Sequence, residues 1–241
     1  MYQDNSTYNG PVLNERYVLL TTLGDGHTSN VYKARDLKED CFVAVKIIKK
    51  QYLLNDSKAM QSITEEVTVM KMLDHPNIVK LVEFGEDGKV VGPMCNEGLT
   101  YIVMEYIEGV TLFDLWNNYG KPIGEQYGRF LMLQLIDALE YMLSKGTIHR
   151  DLKPENIIID NGMNVKLLDF GFAAHENIDN LTAYYGTQTY MAPEIKKKLE
   201  YKGTEVDVFS LGVVVFSMVR GLWPFNEAKR TDIWYDKLCK G

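Results

Sequence analysis

Ile148-His149-Arg150-Asp151-Leu152-Lys153-Pro154-Glu155-Asn156 places six polar or charged side chains among nine residues, between two strongly apolar neighbourhoods. Upstream, Tyr127, Leu131, Leu135, Ala138, Leu139 and Met142 recur at helical spacing, and Lys145 and Gly146 supply a basic last turn and a C-cap. Downstream, Ile157-Ile158-Ile159 and the run from Val165 to Leu168 flank Asn161-Gly162, the pattern of a β-hairpin. The polar stretch therefore reads as a loop between a helix and a hairpin.

Working outward, residues 206–219 form a second helix, apolar nearly all round and so expected to be central and buried. Toward the N-terminus the pattern changes type near Tyr106. Residues 17–22, 30–35 and 41–48 read as strands, the last two joined by the turn-like Asp36-Leu37-Lys38-Glu39-Asp40. A helix over 57–73 carries Glu66, Met70 and Leu73 on one face and ends before Pro76, and strands follow at 78–84 and 100–105. Residues 85–99, polar and glycine-rich, read as an exposed loop, and residues 1–16 as a polar extension. A β-rich lobe (about 17–106) followed by an α-rich lobe (about 107–241) is an α+β arrangement with a cleft expected where the two meet.

Of the 241 residues, 46% are hydrophobic and 24% charged, the balance of a chain able to bury a sizeable core. The net charge of −7 provides no basic field for nucleic acid or an anionic membrane, so an anionic ligand needs a local site. Cys41, Cys95 and Cys239 lack disulfide or zinc spacing. The first ten residues lack a signal peptide's apolar core, and the apolar run from Leu211 to Val219 is too short for a membrane span. A cytoplasmic protein is expected, with the equally reducing nucleus also compatible.

Gly24-Asp25-Gly26-His27-Thr28-Ser29 approximates a phosphate-binding glycine loop, with Ser29 where a third glycine is usual. Alone it means little, since G-x-G occurs by chance at about one window in 200. A strand, Asn30-Val31-Tyr32-Lys33-Ala34, follows it rather than a helix, so the loop should be a hairpin tip whose N–H groups can approach phosphate oxygens. Lys46 ends the apolar Val43-Ala44-Val45. By itself it would be a strand lysine reaching water, and Glu66 a solvated helix charge; together they can pair.

With Asp169-Phe170-Gly171 and Ala192-Pro193-Glu194, the stretch His149 to Asn156 resembles the catalytic-loop, metal-binding and APE signatures of eukaryotic protein kinases. A chance match to those eight residues occurs about once in 10¹⁰ windows. The other motifs, from Gly24 to Asp207, stand in the family's order. Lys153 and Thr187 resemble the serine/threonine branch, and Leu112-Phe113-Asp114 with the short activation segment resembles the calcium/calmodulin-dependent group.

The resemblance implies a two-lobed fold, ATP and Mg²⁺ as cofactors, and a protein substrate. Asp151 would orient the acceptor hydroxyl, Lys153 would neutralise the transferring phosphoryl group, Asn156 and Asp169 would hold metal, and Thr187 is counted with Asp151, Lys153 and Asn156 among the catalytic residues. Gly24, Gly26 and Ser29 would cover the phosphates and Lys46, fixed by Glu66, would grip them. Leu23, Val31, Ala44, Met104, Ile107, Ile158 and Leu168 match the apolar positions around adenine, with the main chain of Glu105 and Ile107 on its edge. His149, Phe170, Met70 and Leu81 match the family's stacked spine.

Several positions depart from the family pattern. Thr111 stands where an acid is frequent, Phe209 replaces a tryptophan, and Ser217 lies where basophilic members carry an acid, although Glu155 keeps another. Arg150 matches the arginine that receives an activation-loop phosphate. Thr182 is the nearest hydroxyl for an upstream kinase, but the usual phosphosite register falls on Ala183. The family continues past the position of Gly241 by on the order of 40 residues. On that ground Glu194 is expected to be a buried charge without its arginine, and a weakly active or inactive kinase-like scaffold is the alternative to an active enzyme.

Overall fold

The computed structural model describes residues 10–92, 95–119, 122–175 and 180–240. It divides into two compact units, Met1–Val67 with Lys80–Tyr106, and Thr68–Val79 with Ile107–Gly241.

The first unit is built on β1 (Val12–Leu13), β2 (Tyr17–Asp25), β3 (Ser29–Asp36), β4 (Cys41–Ile48), β5 (Leu81–Val91) and β6 (Asn96–Glu105). All pairings are antiparallel, and the order β1-β2-β3-β4-β6-β5 closes into a barrel because β1 pairs with both β2 and β5. Alternation along β4 explains the core. Val43 and Val45 point into the barrel, with Tyr17, Leu19, Ala34, Leu99, Tyr101 and Val103 around them, while Ala44 and Lys46 lie on the opposite face. Helices α1 (Lys50–Asn55) and α2 (Ala59–Met72) follow β4, the division between units falling within α2.

Two expectations are corrected in this unit. The described residues of 85–99 are not an exposed loop: 85–91 continue β5 and 96–99 begin β6, with Val90 and Leu99 in the core. Two of their glycines serve packing: a Cβ on Gly85 or Gly88 would lie 2.5 or 2.8 Å from the Tyr101 ring. Residues 10–16, the described part of the expected extension, likewise join the barrel through β1, where Leu13 is fully buried; the expectation for residues 1–9 lies outside the described residues. There Arg16 donates from Nε and Nη2 to both oxygens of Asp36 and from Nη1 to Glu83, which also accepts from the hydroxyls of Tyr17 and Tyr101. Burial and the Glu83 bond push the Tyr101 hydroxyl up to about 12. Burial alone would raise the Asp36 carboxyl, but Arg16 and the N–H groups of Lys38 and Glu39 outweigh it and hold it below the ordinary range.

The second unit contains β7 (Gly109–Thr111), α3 (Leu112–Tyr119), α4 (Glu125–Ser144), β8 (Thr147–Ile148), a 3₁₀ turn (Pro154–Asn156), β9 (Ile157–Asp160), β10 (Val165–Leu167), β11 (Ala174–His175), α5 (Pro193–Lys196), α6 (Gly203–Arg220) and α7 (Ile233–Lys240). α4 buries Gly128, Leu131, Leu135, Ala138 and Met142, and Gly146 adopts φ 67° just past its end. Tyr127, expected in that stripe, is instead exposed near the helix start.

β9 and β10 pair as a hairpin, Asp160 accepting the N–H groups of Gly162 and Asn164 across its turn. α6 is buried along Val206, Ser210, Val213, Val214 and Met218 but exposes Val208 and Phe216, so it is covered on one side rather than all round. Glu194, in α5, is only half-buried, so the cost of an uncompensated buried charge does not arise there. No helix among the described residues is long and apolar enough to cross a membrane.

Candidate active site

In the first unit, β2 and β3 meet at a tight tip closed by the Gly26 N–H donating to the Ser29 carbonyl. Neither Gly24 nor Gly26 has a positive φ, and a Cβ on Gly24 would meet nothing within 4 Å. The chain's own packing does not require these glycines, which leaves close approach by a ligand as a physical reason for them. Strand register puts Val31 opposite Lys46, and Ala44 opposite Met104, on one face; Leu23, next in β2 to the Gly24–Val31 pair, is half-exposed. Lys46 Nζ lies 2.6 Å from Glu66 Oε1, with both side chains largely buried, so the pair is fixed rather than solvated. Ser29 is buried and the Glu105 N–H donates to the Lys80 carbonyl.

In the second unit, the loop after β8 is held from below by Asp207 of α6. Its two carboxylate oxygens accept the N–H groups of His149 (2.7 Å) and Arg150 (2.8 Å). Asp207 is buried, which pushes its carboxyl up; His149 and those N–H donors pull the other way. The His149 ring is also committed. Nδ1 accepts the Asp151 N–H, so Nε2 carries the proton and donates to the Leu168 carbonyl, 2.9 Å away. Phe170 meets this ring edge-on at 5.3 Å. Asp207 closes the family's order of motifs in the sequence, but no role was assigned to it there.

Asp151, 3% exposed, is surrounded by donors. Lys153 Nζ lies 2.6 Å from Oδ2 and donates to Thr187 Oγ1 at 3.0 Å, while Thr187 gives both its N–H and its hydroxyl to Oδ1 at 2.8 Å. Asn156 Nδ2 donates to the Asp151 carbonyl at 2.9 Å and to Oδ2 at 3.3 Å. Asp151, Lys153, Asn156 and Thr187, distant in sequence by up to 36 residues, thus form one mesh.

Because both Asn156 bonds use its nitrogen, the amide is oriented and its Oδ1 remains a hard oxygen. The Leu168 N–H donates to the Asn156 carbonyl at 2.8 Å, which ties the segment carrying Asp169 to Asn156. Asp169 is exposed and adopts φ 59°. Among the described residues there is no cluster of three or more His, Cys, Asp or Glu, so no all-protein metal cage is present. One amide and one carboxylate oxygen suit Mg²⁺, which takes few protein ligands and completes its shell with phosphate and water.

Ile107, Ile158 and Leu168 belong to this second unit, partly buried, with Ile158 paired between Thr111 and Lys166. Two departures gain a structural reason. Thr111 caps α3, its hydroxyl accepting the Asp114 N–H and donating to the Asp114 carboxylate. Ser217 is turned into α6 and donates to the Val213 carbonyl, so its side chain does not face a substrate.

Comparison with protein-family models matches the description "Protein kinase domain" over residues 17–240. Among curated proteins, the chain is 35% identical to CBL-interacting protein kinase 9 of Oryza sativa subsp. japonica over 229 residues, 93% of this chain and 48% of that protein. It is 37% identical to CBL-interacting serine/threonine-protein kinase 20 of Arabidopsis thaliana over 237 residues, 97% and 51% respectively. The chain spans about half the length of the curated relatives it matches. These relatives are plant kinases related to the calcium/calmodulin-dependent group, the group that Leu112-Phe113-Asp114 and the short activation segment resemble. By the match along nearly its whole length, this chain belongs to the protein kinase domain family.

Proposed function

We propose that the chain transfers the γ-phosphoryl group of ATP to serine or threonine hydroxyls of a protein substrate. The observation that carries this reading is the mesh in which Lys153, Thr187 and Asn156 all donate to Asp151. It fixes a carboxylate in one rotamer beside a lysine, the arrangement needed to orient an acceptor hydroxyl and to offset phosphoryl charge.

In the proposed step the acceptor oxygen attacks the γ-phosphorus in line. Its proton passes to an Asp151 carboxylate oxygen, the bond from γ-phosphorus to the bridging oxygen breaks, and ADP leaves with that electron pair. Lys153 stabilises charge on the equatorial oxygens. Asn156 Oδ1 and the Asp169 carboxylate would hold Mg²⁺, which when bound neutralises phosphate charge. Lys46, held by Glu66, would contact the α- and β-phosphates under the loop of Gly24, Gly26 and Ser29. Leu23, Val31, Ala44, Met104, Ile107 and Ile158 would enclose adenine, with the main chain of Glu105 and Ile107 on its edge.

The names of the relatives add a regulatory protein partner to the proposal, and exposed Thr182 is the proposed site for an upstream kinase. The cytoplasm is the proposed location.

Incubation of the purified chain with Mg-ATP and a mixed peptide library tests the reading. Labelled phosphoserine and phosphothreonine are expected. Nucleotide binding without transfer to any peptide would favour the scaffold alternative.

A further inference from the structure

Arg150 directly precedes Asp151 and sits at φ 64°, a left-handed conformation that a bulky residue keeps only when its surroundings over-determine it. Three tethers do so, all within the second unit. Its N–H is held by Asp207. Its guanidinium donates from Nε to the Phe172 carbonyl at 2.6 Å and from Nη2 to the Ala173 carbonyl at 3.3 Å. The guanidinium carbon of the same side chain lies over the Tyr185 ring, 4.9 Å from its centre, and Tyr185 in turn stacks on Phe172, 5.3 Å away with planes 27° apart.

Phe172 and Ala173 on one side, through their main-chain carbonyls, and Tyr185 on the other, through its ring, therefore hold the Arg150 guanidinium between them. The residues next to the clamp reach the chemistry. A Cβ on Gly186, at φ 111°, would lie 2.8 Å from the Arg150 carbonyl, so the segment packs directly on the loop there. Thr187 then donates twice to Asp151. Upstream, Leu181 is bridged to Tyr201, whose hydroxyl donates to the Ala183 carbonyl, while Thr182 between these anchors is exposed.

We infer that Tyr185 is a positioning residue: its ring, backed by Phe172, fixes Arg150 and thereby Thr187 and Asp151, so that an aromatic clamp performs the ordering for which an arginine in this place can otherwise use a phosphate. This rests on the kinase reading of Asp151. Cation–π attraction and ring stacking need the aromatic face and not the hydroxyl, which makes no bond to a described residue. Phenylalanine should therefore substitute for Tyr185, and alanine should not.

The test compares the full chain with Tyr185→Phe, Tyr185→Ala and the neighbouring control Tyr184→Ala, reading peptide phosphorylation and, independently of activity, amide hydrogen exchange. Tyr185→Ala is expected to lower kcat about ten- to a hundredfold, the scale of a small misplacement of reacting groups. KM for ATP should hardly change, and exchange at Asp151 and Thr187 should quicken. Tyr185→Phe and Tyr184→Ala should match wild type in both readouts. Wild-type kcat and exchange in Tyr185→Ala, or a Tyr185→Phe variant as impaired as Tyr185→Ala, would overturn the clamp. If no form transfers phosphate, the kinase reading fails while the exchange pattern still decides whether Tyr185 orders the loop.

Discussion

Asp207 couples the stability of the fold to the position of the catalytic loop. Its two oxygens satisfy two adjacent buried N–H groups in the loop that carries Asp151. Asparagine keeps the volume but accepts with only one oxygen, leaving a buried donor facing an amide N–H₂. Asp207→Asn is expected to cost about 1–3 kcal/mol of stability by chemical denaturation and to reduce turnover, because the loop's position is what it holds. Unchanged stability would mean that the loop is anchored elsewhere. Thr182→Ala, by contrast, removes an exposed hydroxyl beside tethers that do not involve it, so only a modest loss of activity is expected. A fully inactive Thr182→Ala protein would show that a modification there is required. At this scale the sequence was most legible where chemistry demands particular side chains: Asp151, Lys153, Asn156 and Thr187 were named from it and lie in one mesh. Tyr185 was not, and Asp207 was named only as the end of the motif order without a role, since each acts through a partner distant in sequence.

The β5–β6 hairpin shows why an element can be hidden in sequence. Glycine and polarity, ordinarily loop signals, here admit the Tyr101 ring against Gly85 and Gly88, a contact visible only once the strands are paired. Gly88→Val would drive a branched side chain into that ring and is expected to cost about 1–3 kcal/mol as overpacking; a melting temperature unchanged from wild type would contradict the packing reading. β1 was equally hidden, because two residues carry no periodicity, yet it brings Asn14 and Arg16 to the Glu83 network. That network gives the barrel an acid-sensitive lock. The Asp36 carboxyl titrates below its ordinary value of about 3.9, so its stabilisation is present above that pH and is lost as pH falls through the lower, folded value. Asp36→Asn should therefore be less stable than wild type at neutral pH, with the gap narrowing as acid removes the wild type's advantage. A constant gap from pH 6 to pH 2 would exclude Asp36 as the titrating group. Helices and core strands were legible because 3.6- and two-residue periods survive in α4 and β4; Tyr127 was misplaced because it lies in the exposed first turn of α4, ahead of the buried stripe that begins at Gly128.

For the whole molecule, a net charge of −7 means that nucleotide must be held by local groups and not by a general field. Ligand binding should then register as stability. Mg-ATP at a hundredfold excess over Kd adds about 2.7 kcal/mol, or roughly 5–11 °C in Tm for a chain of this size. Asp169→Ala should lose the Mg²⁺-dependent part of that shift, and its retention would remove Asp169 from the metal site. The α+β character with a sheet unit and a helical unit was legible from the change of pattern near Tyr106, while closure of the sheet into a barrel depended on pairings of β1 that no local pattern encodes. The central claim, that Asp151 serves the acceptor hydroxyl and not the nucleotide, is tested most directly by measuring Mg-ATP affinity and peptide phosphorylation side by side for wild type and Asp151→Ala. Near-wild-type affinity with turnover reduced about 10²–10⁴-fold is expected; peptide phosphorylation by Asp151→Ala at the wild-type rate would contradict the account.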